Sequence, residues 1–228
     1  MLSRNASSLL SEAFSESWRV SKRLFDVVVS GVGLVVLAPL LAIIAVLVLV
    51  SGGRPALFRH QRVGLNGRPF EILKFRTMSH APSEGGPLVT VAGDRRITPV
   101  GRLLRATKLD ELPQLWNVFR GDMSVVGPRP EVPRYVAMYP PTVAAKVLSV
   151  RPGITDEASI LFRNESEVLA RSDDPERAYV EKVLPRKLAL YERYADRHSL
   201  LGDLGIIVRT FWCIIVGNRS DASAGRLE

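Results

Sequence analysis

The sequence predicts an α+β protein, mostly helical with a small β-hairpin or sheet, joined to an apolar N-terminal helix broken at Pro39. Three observations carry this. Residues 27–50, "VVVSGVGLVVLAPLLAIIAVLVLV", contain no charge. An Asn66-Gly67 pair separates two strand-like runs. Apolar residues recur at helical spacing over 101–119 and again over 179–194.

As a straight helix the uncharged run is about 36 Å long, enough to cross a bilayer core of about 30 Å. It is too long for a signal-peptide core, and no small-residue cleavage pattern follows it. Pro39 removes a backbone hydrogen bond at its middle. Arg19, Lys22 and Arg23 precede the run, and Arg54, Arg59 and Arg62 follow it. Basic flanks on both sides give no direction of crossing. They fit a helix that enters, bends at Pro39 and returns to the same face, each arm about 18 Å long. A kinked spanning helix satisfies the same features. Leu10, Phe14 and Trp18 fall on one helical stripe. "LLGDLGIIVRTFWCIIVGNR" is apolar but interrupted by Asp203 and Arg209, which predicts a helix on the membrane surface or packed on the domain rather than a second span. Ordinary core packing explains both stripes equally well.

Asn66-Gly67 is a strong hairpin signal in "ALFRHQRVGLNGRPFEILKFRTM". The Gly-, Pro- and Ser-rich "SHAPSEGGPLVTVAGDRRITPVG" reads as a mobile surface loop. Residues 101–119 read as two helical pieces meeting at "LDELP", with Pro113 opening the second. "GDMSVVGPRPEVP" reads as a rigid loop.

The chain carries 31 Lys+Arg against 23 Asp+Glu, a net +8, which suits an anionic partner: nucleic acid, an anionic membrane surface or a phosphorylated substrate. One cysteine, Cys213, excludes an intramolecular disulfide framework. His60, His80 and His198 are scattered and no zinc spacing occurs. Neither a GxxxxGK[ST] phosphate loop nor a GxGxxG fingerprint is found.

Asp110-Glu111 precedes the second helical piece. Two acids at a helix N-terminus need no further role, since each is stabilised there by about 0.3–1 kcal/mol. The surroundings add one. Arg102, Arg105 and Lys108 stand just upstream. Arg129, between Pro128 and Pro130, sits on a restricted backbone and suits a bidentate phosphate contact. Lys74 and Arg76, one residue apart in "KFRTM", would share a strand face. A carboxylate attacks a phosphate only when cations neutralise the phosphoryl oxygens. Mg²⁺ takes one or two carboxylates plus substrate phosphates.

"KFRTM", "DRRITPVGRLLRATKLDELPQLWNVFRGDMSVVGPRP" and "RPGIT" together resemble the bacterial sugar transferases, the monotopic phosphoglycosyl transferases that start glycan assembly on a polyprenol phosphate. The similarity runs from about residue 22 to 155 and more weakly to about 210. It implies a re-entrant membrane helix and transfer of a phosphosugar from a UDP-sugar to undecaprenyl phosphate, with release of UMP. It implies Asp110 as nucleophile, forming an aspartyl-phosphosugar, and Glu111 as its dyad partner. Both acids would hold Mg²⁺. Lys74, Arg76, Arg105, Arg129 and, less directly, Arg163 would contact phosphates. The family breaks its membrane helix at a Ser-Pro pair; here it is Ala38-Pro39, without the hydroxyl. Larger relatives continue "PGIT" with a Gly-x-Ala-Gln run, whereas this chain reads "PGITDEASILFRNESE", like the small single-domain subgroup.

The expected organisation is an amphipathic segment over 1–22, a re-entrant helix over 23–52, a catalytic domain with interfacial helices over 53–217 and a tail over 218–228. The expected location is the cytoplasmic face of the bacterial inner membrane. Expected partners are the UDP-sugar, undecaprenyl phosphate and membrane lipids, with no nucleic acid. A homo-oligomer is compatible with the sequence. Two rivals use the same residues: a membrane-bound UDP-sugar hydrolase with water as acceptor, and a non-catalytic lipid-binding scaffold.

Overall fold

The computed structural model describes residues 6–79, 94 and 96–216, with side chains from 18 to 215. Most of the Gly/Pro/Ser-rich loop, the tail and the Leu10 and Phe14 side chains lie outside the described residues. The fold is α+β and mostly helical, with two small sheets among the described residues.

Helix α1 (Ala6–Val36) and helix α2 (Ala38–Gly52) meet at a 63° bend. The cause is Pro39 in the first turn of α2, which has no N–H to give and crowds the preceding turn. No side chain caps the break. Main-chain bonds hold either side of it: Leu37 N–H donates to Gly33 O (2.9 Å) and Leu41 N–H to Leu37 O (2.8 Å). Among the described residues no single helix is long and apolar enough to cross a membrane; the bent pair reaches that length and composition only when its two arms are taken together.

A polar stripe at i, i+4, i+8 runs along one face of α1: Lys22, Asp26 and Ser30, all buried. Strands β1 (Leu57–Val63) and β2 (Pro69–Phe75) form the expected antiparallel hairpin, in register from Leu57 opposite Phe75 to Val63 opposite Pro69. Asn66 (φ 54°) and Gly67 (φ 75°) both take the left-handed conformation that makes the turn.

Thr98 caps helix α3 (Pro99–Thr107), its hydroxyl accepting from Gly101 N–H at 2.9 Å. Gly101 lies against the strand end; a Cβ there would stand 2.2 Å from Thr77 O. A 3-10 turn, Leu109–Glu111, follows, and then helix α4 (Gln114–Arg120) directly after Pro113. This is the two-piece arrangement expected around "LDELP".

The stretch expected as a rigid loop is partly a strand. Strand β3 (Ser124–Val126) pairs in parallel with β4 (Gly153–Thr155). Three residues are too few for an alternating pattern to register, and the partner is remote in sequence. Helices α5 (Pro133–Val136) and α6 (Pro141–Val147) connect the strands. Helices α7 (Glu157–Leu161), α8 (Glu165–Leu169) and α9 (Pro175–Ala178) follow, then a π-turn at Tyr179–Val183 leading into α10 (Leu184–Arg197), and finally α11 (Leu200–Val216).

Three apolar clusters hold these parts. Tyr135, Tyr139, Leu169, Tyr179, Val183 and Tyr191 are among the buried residues of the C-terminal helices. Ile44 and Val48 of α2 are buried with Phe75 and Leu104. Ile72, Val118 and Met123 join β2 to α4 and the chain beyond it.

The polar stripe of α1 closes onto the domain. Asp26, 1% exposed, accepts from Ser124 Oγ and Val125 N–H, both at 3.0 Å. Lys22 Nζ donates to Asp203 of α11 (2.5 Å) and to Val126 O (3.1 Å). Tyr194 O–H lies 3.0 Å from Asp203 Oδ1 and from Val126 O. Lys22 is therefore not a free basic flank. Arg62 reaches Pro130 O and Arg59 pairs with Glu71, so neither of these is unpaired either. Asp203, which interrupts an otherwise apolar stretch, faces inward. Leu201, Leu204, Val208, Phe211, Trp212 and Ile215 of α11 face outward.

Candidate active site

The turn between α3 and α4 places the two carboxylates. Lys108 ends α3 in the left-handed conformation (φ 59°), and the chain reverses into the 3-10 turn that carries Asp110 and Glu111, both buried. Asn117 of α4 fixes this turn against the hairpin. Its Oδ1 accepts from Leu73 N–H (3.0 Å) and its Nδ2 donates to Glu71 O (2.8 Å), filling hydrogen-bonding positions along the edge of β2. Lys74 is thereby set opposite Glu111.

Arg129 arrives on the proline-flanked loop after β3. That loop is tied down by Gly127 N–H to Thr155 O (3.1 Å), Gly153 N–H to Pro128 O (2.9 Å), Arg62 to Pro130 O (3.2 Å) and Val63 N–H to Glu131 O (3.0 Å). Arg129 grips Glu111 with both terminal nitrogens (2.5 and 3.3 Å), and Lys74 Nζ donates to Glu111 Oε1 at 2.9 Å. Burial alone would raise the Glu111 pKa, but Arg129 and Lys74 outweigh it and hold this carboxyl well below the usual range. Glu111 in turn holds Arg129 protonated, while burial lowers Lys74 against the pull of Glu111.

Asp110 is in the opposite condition. Burial, and then the Glu111 charge, push its pKa up against the opposing charges of Lys74, Lys108 and Arg105. Its Oδ1 is buried with no hydrogen-bond partner. Adjacent carboxylates driven apart in this way take different roles: one is clamped, the other left free to react or ligate. Arg105 Nε donates to Thr77 Oγ1 (2.8 Å) and its charge reaches both acids.

Of the five cations expected at phosphate, Lys74, Arg105 and Arg129 converge on the acids. Arg76 does not. It lies one residue past the end of β2, so strand alternation no longer places it beside Lys74. Its guanidinium donates to the carbonyls of Gly52, Gly53 and Arg54 (2.8 Å to the last), capping the C-terminus of α2. Arg163 donates to Cys213 O of α11, and its charge registers on Lys108. Lys108, Thr77 and Asn117 belong to the site's frame; of these the sequence points to Lys108 alone. Lys108 stood in the cationic run; Asn117 gave no signal, because its partners are backbone groups of a strand far away in the chain. His60 is closer than the sequence suggested: burial, Arg62 and Lys74 together push its imidazole toward neutrality.

Among the described residues no group of three or more His, Cys, Asp or Glu side chains is placed to hold a metal. Two adjacent carboxylates, one with an unpartnered oxygen, are what Mg²⁺ takes when substrate phosphates complete its shell.

A buried carboxylate pair ringed by cations beside an apolar helical hairpin suits chemistry on phosphorylated substrates. Residues 17–217 match the family profile described as "Bacterial sugar transferase", and the chain belongs to that family. It is an enzyme of the phosphotransferase type. It is 42% identical over 195 residues to a UDP-glucose:undecaprenyl-phosphate glucose-1-phosphate transferase of Caulobacter vibrioides, covering 83% of this chain and 67% of that protein. It is 34% identical over 216 residues to the exopolysaccharide production protein ExoY of Rhizobium meliloti, covering 88% of each. A Klebsiella pneumoniae protein with the same name as the Caulobacter one is 39% identical, but this chain spans only 34% of its length.

Replacing Glu111 with Gln keeps the shape and removes the charge that holds Lys74 and Arg129. Charge-assisted bonds of this kind are worth roughly 1.5–3 kcal/mol, so turnover is expected to fall about 10- to 100-fold. Because the folded pKa of Glu111 is depressed, its contribution to stability is present above the unfolded glutamate pKa of about 4.3 and lost as pH falls through the folded value. Thermal melts at descending pH should therefore show the Gln variant losing less stability below that point than the parent. Parallel curves would refute the clamp.

Proposed function

We propose that this enzyme transfers a phosphosugar from a UDP-sugar to undecaprenyl phosphate at a membrane surface. The observation that carries the reading is the divided pair: Glu111 clamped by Lys74 and Arg129, and Asp110 with an unpartnered oxygen in the field of Lys74, Lys108 and Arg105. The names of the Caulobacter and Klebsiella relatives support it. An Asp110 oxygen attacks the sugar-linked phosphorus, the bond from that phosphorus to the bridging oxygen breaks, and UMP leaves with the electron pair. An oxygen of undecaprenyl phosphate then attacks the same phosphorus. The lipid diphosphosugar departs and the Asp110 carboxylate is restored. Lys74, Arg105 and Arg129 hold the phosphoryl oxygens through both steps. Mg²⁺ would sit against Asp110, with Glu111 beside it, and would neutralise phosphate charge.

The bent pair α1–α2 is read as re-entrant. Its first arm is fixed through Asp26 and Lys22 to β3 and α11, and the end of its second arm is fixed through Arg76. Both ends thus belong to one domain. Exposed Val28, Val32, Val36, Ile43, Val46 and Leu47 supply the lipid-facing surface, continued by Trp116, Phe119 and the outer face of α11. We read such an anchor as one that holds the site at the cytoplasmic face of the inner membrane, where the lipid phosphate lies. With Cys213 replaced by Ser, cysteines at Asn5 and Arg54 are each expected to be shielded from a periplasm-restricted thiol reagent in whole cells. Labelling of either one from the periplasm would refute the re-entrant reading.

The deciding experiment is UMP release from a panel of UDP-sugars with Mg²⁺, with and without undecaprenyl phosphate. Lipid-dependent release from one or two donors is the expected result. Equal release without lipid would make the protein a hydrolase, and no release from any donor would favour a lipid-binding scaffold.

A further inference from the structure

Thr77 lies just beyond β2, on the same run of chain as Lys74, and is 5% exposed. Its backbone is pressed against α3. Thr77 O accepts from Thr98 N–H at 3.0 Å and touches the helix at Gly101, where no Cβ fits. Arg105 follows Gly101 at i+4 and shares its face of α3. The close approach of the two backbones therefore brings the two side chains together, and Arg105 Nε donates to Thr77 Oγ1 at 2.8 Å.

This bond divides the guanidinium. Nε is committed to the protein, while neither terminal nitrogen has a hydrogen-bond or ion-pair partner among the described residues. Lys74 and Arg129 are in the opposite condition, since both hold Glu111. Asp94, whose charge reaches Arg105, is itself gripped by Arg96 (2.7, 3.0 and 3.1 Å). Main-chain bonds carry Arg105 directly into the acid-bearing turn: Lys108 N–H donates to Arg105 O (3.3 Å) and Glu111 N–H to Lys108 O (3.1 Å). Two free nitrogens in one plane, with the third held, form the fork that a phosphate takes bidentately.

We propose that Thr77 is a positioning residue for phosphosugar transfer: its hydroxyl holds Arg105 through Nε and so presents the two terminal nitrogens as a bidentate receptor for a donor phosphate while Lys74 and Arg129 are still engaged by Glu111. This rests on the transfer reaction given above. Lys74 and Arg129 can turn to substrate only by loosening Glu111. Arg105 needs no such exchange, and it takes the phosphate first.

The test separates the hydroxyl from packing. Thr77→Val keeps the shape and the backbone bonds but removes the acceptor. Thr77→Ser keeps the acceptor and loses the methyl group. Thr77→Ala is the second variant without an acceptor, and differs from Ser by one oxygen. Each is assayed for donor kcat/KM with undecaprenyl phosphate, using the UDP-sugar that the panel identifies, and for binding of UDP with Mg²⁺ by calorimetry. Thr77→Val and Thr77→Ala are expected to lower kcat/KM and to weaken UDP binding about tenfold. Thr77→Val is expected to melt within about 2 °C of the parent. Thr77→Ser should stay within about twofold of the parent in both readouts, a rescue that a packing role would not give. Lysine at 105 has no Nε–H of this kind to hold, so Thr77→Val should add little in an Arg105→Lys background. Unchanged kcat/KM and UDP binding in the Val and Ala variants, a Ser variant as poor as Ala, or full additivity with Arg105→Lys overturns the proposal. If the parent turns over no donor but binds UDP, the transfer reading fails alone, and the binding series still decides whether Thr77 presents Arg105 to a diphosphate. If the parent neither turns over a donor nor binds UDP, both fall.

Discussion

Asp110→Asn is expected to abolish turnover, by about a thousandfold or more, while leaving membrane attachment and fold intact. The asparagine has the same size but cannot form the acyl phosphate. Its stability should not fall. Burial raises the folded pKa of Asp110, so the native state binds a proton more tightly than the unfolded chain does. Stability is then lost as pH rises from the unfolded value of about 3.9 through the folded one, and that cost is fully present at neutral pH. Asn removes it, and a melting temperature equal to or above the parent's is expected. The same shift predicts that parent turnover declines on the acid side at a pH above the ordinary aspartate range. Near-normal turnover by Asp110→Asn in the UMP assay would remove Asp110 from the nucleophile's role.

Asp203→Ala is expected to have the largest effect on stability. It strips Lys22 of its 2.5 Å partner inside the protein, leaving an ammonium with Val126 O and, at 4.0 Å, Asp26. Breaking a buried pair from one side costs about 3–5 kcal/mol. Thermal unfolding in detergent should show a large drop, and Lys22→Met in the same chain should restore part of it, because the orphaned charge is then gone. A melting temperature within error of the parent's would mean that water reaches Lys22 and that the pair does not tie α1 to α11.

The elements legible in the sequence were those whose signals are local. Asn66-Gly67 announced its hairpin because a left-handed turn needs those residue types. Pro39 announced the helix break because a missing N–H acts where it stands. Asp110, Glu111, Lys74, Arg105 and Arg129 were found as a group through a motif resemblance, and the structure brings them together. What was not legible depends on distant partners. The β3–β4 pair joins three-residue segments whose hydrogen bonds lie across the chain. Arg76 reads like a phosphate ligand until the C-terminal carbonyls of α2 are seen beside it. Lys22 reads like a flanking surface charge until Asp203 is placed against it. In each case composition gave the residue's capacity, and only the tertiary neighbour decided its use.

The polar stripe on α1 also bears on the order of synthesis. Lys22 and Asp26 emerge early, next to the uncharged apolar run. Their partners, Ser124, Val125, Val126 and Asp203, are made about 100 to 180 residues later. Until then the two charges have only each other and water. The hairpin therefore cannot reach its final seat as it is translated. Its placement waits on α11, and that helix serves as the latch for an apolar helical pair made about 180 residues earlier.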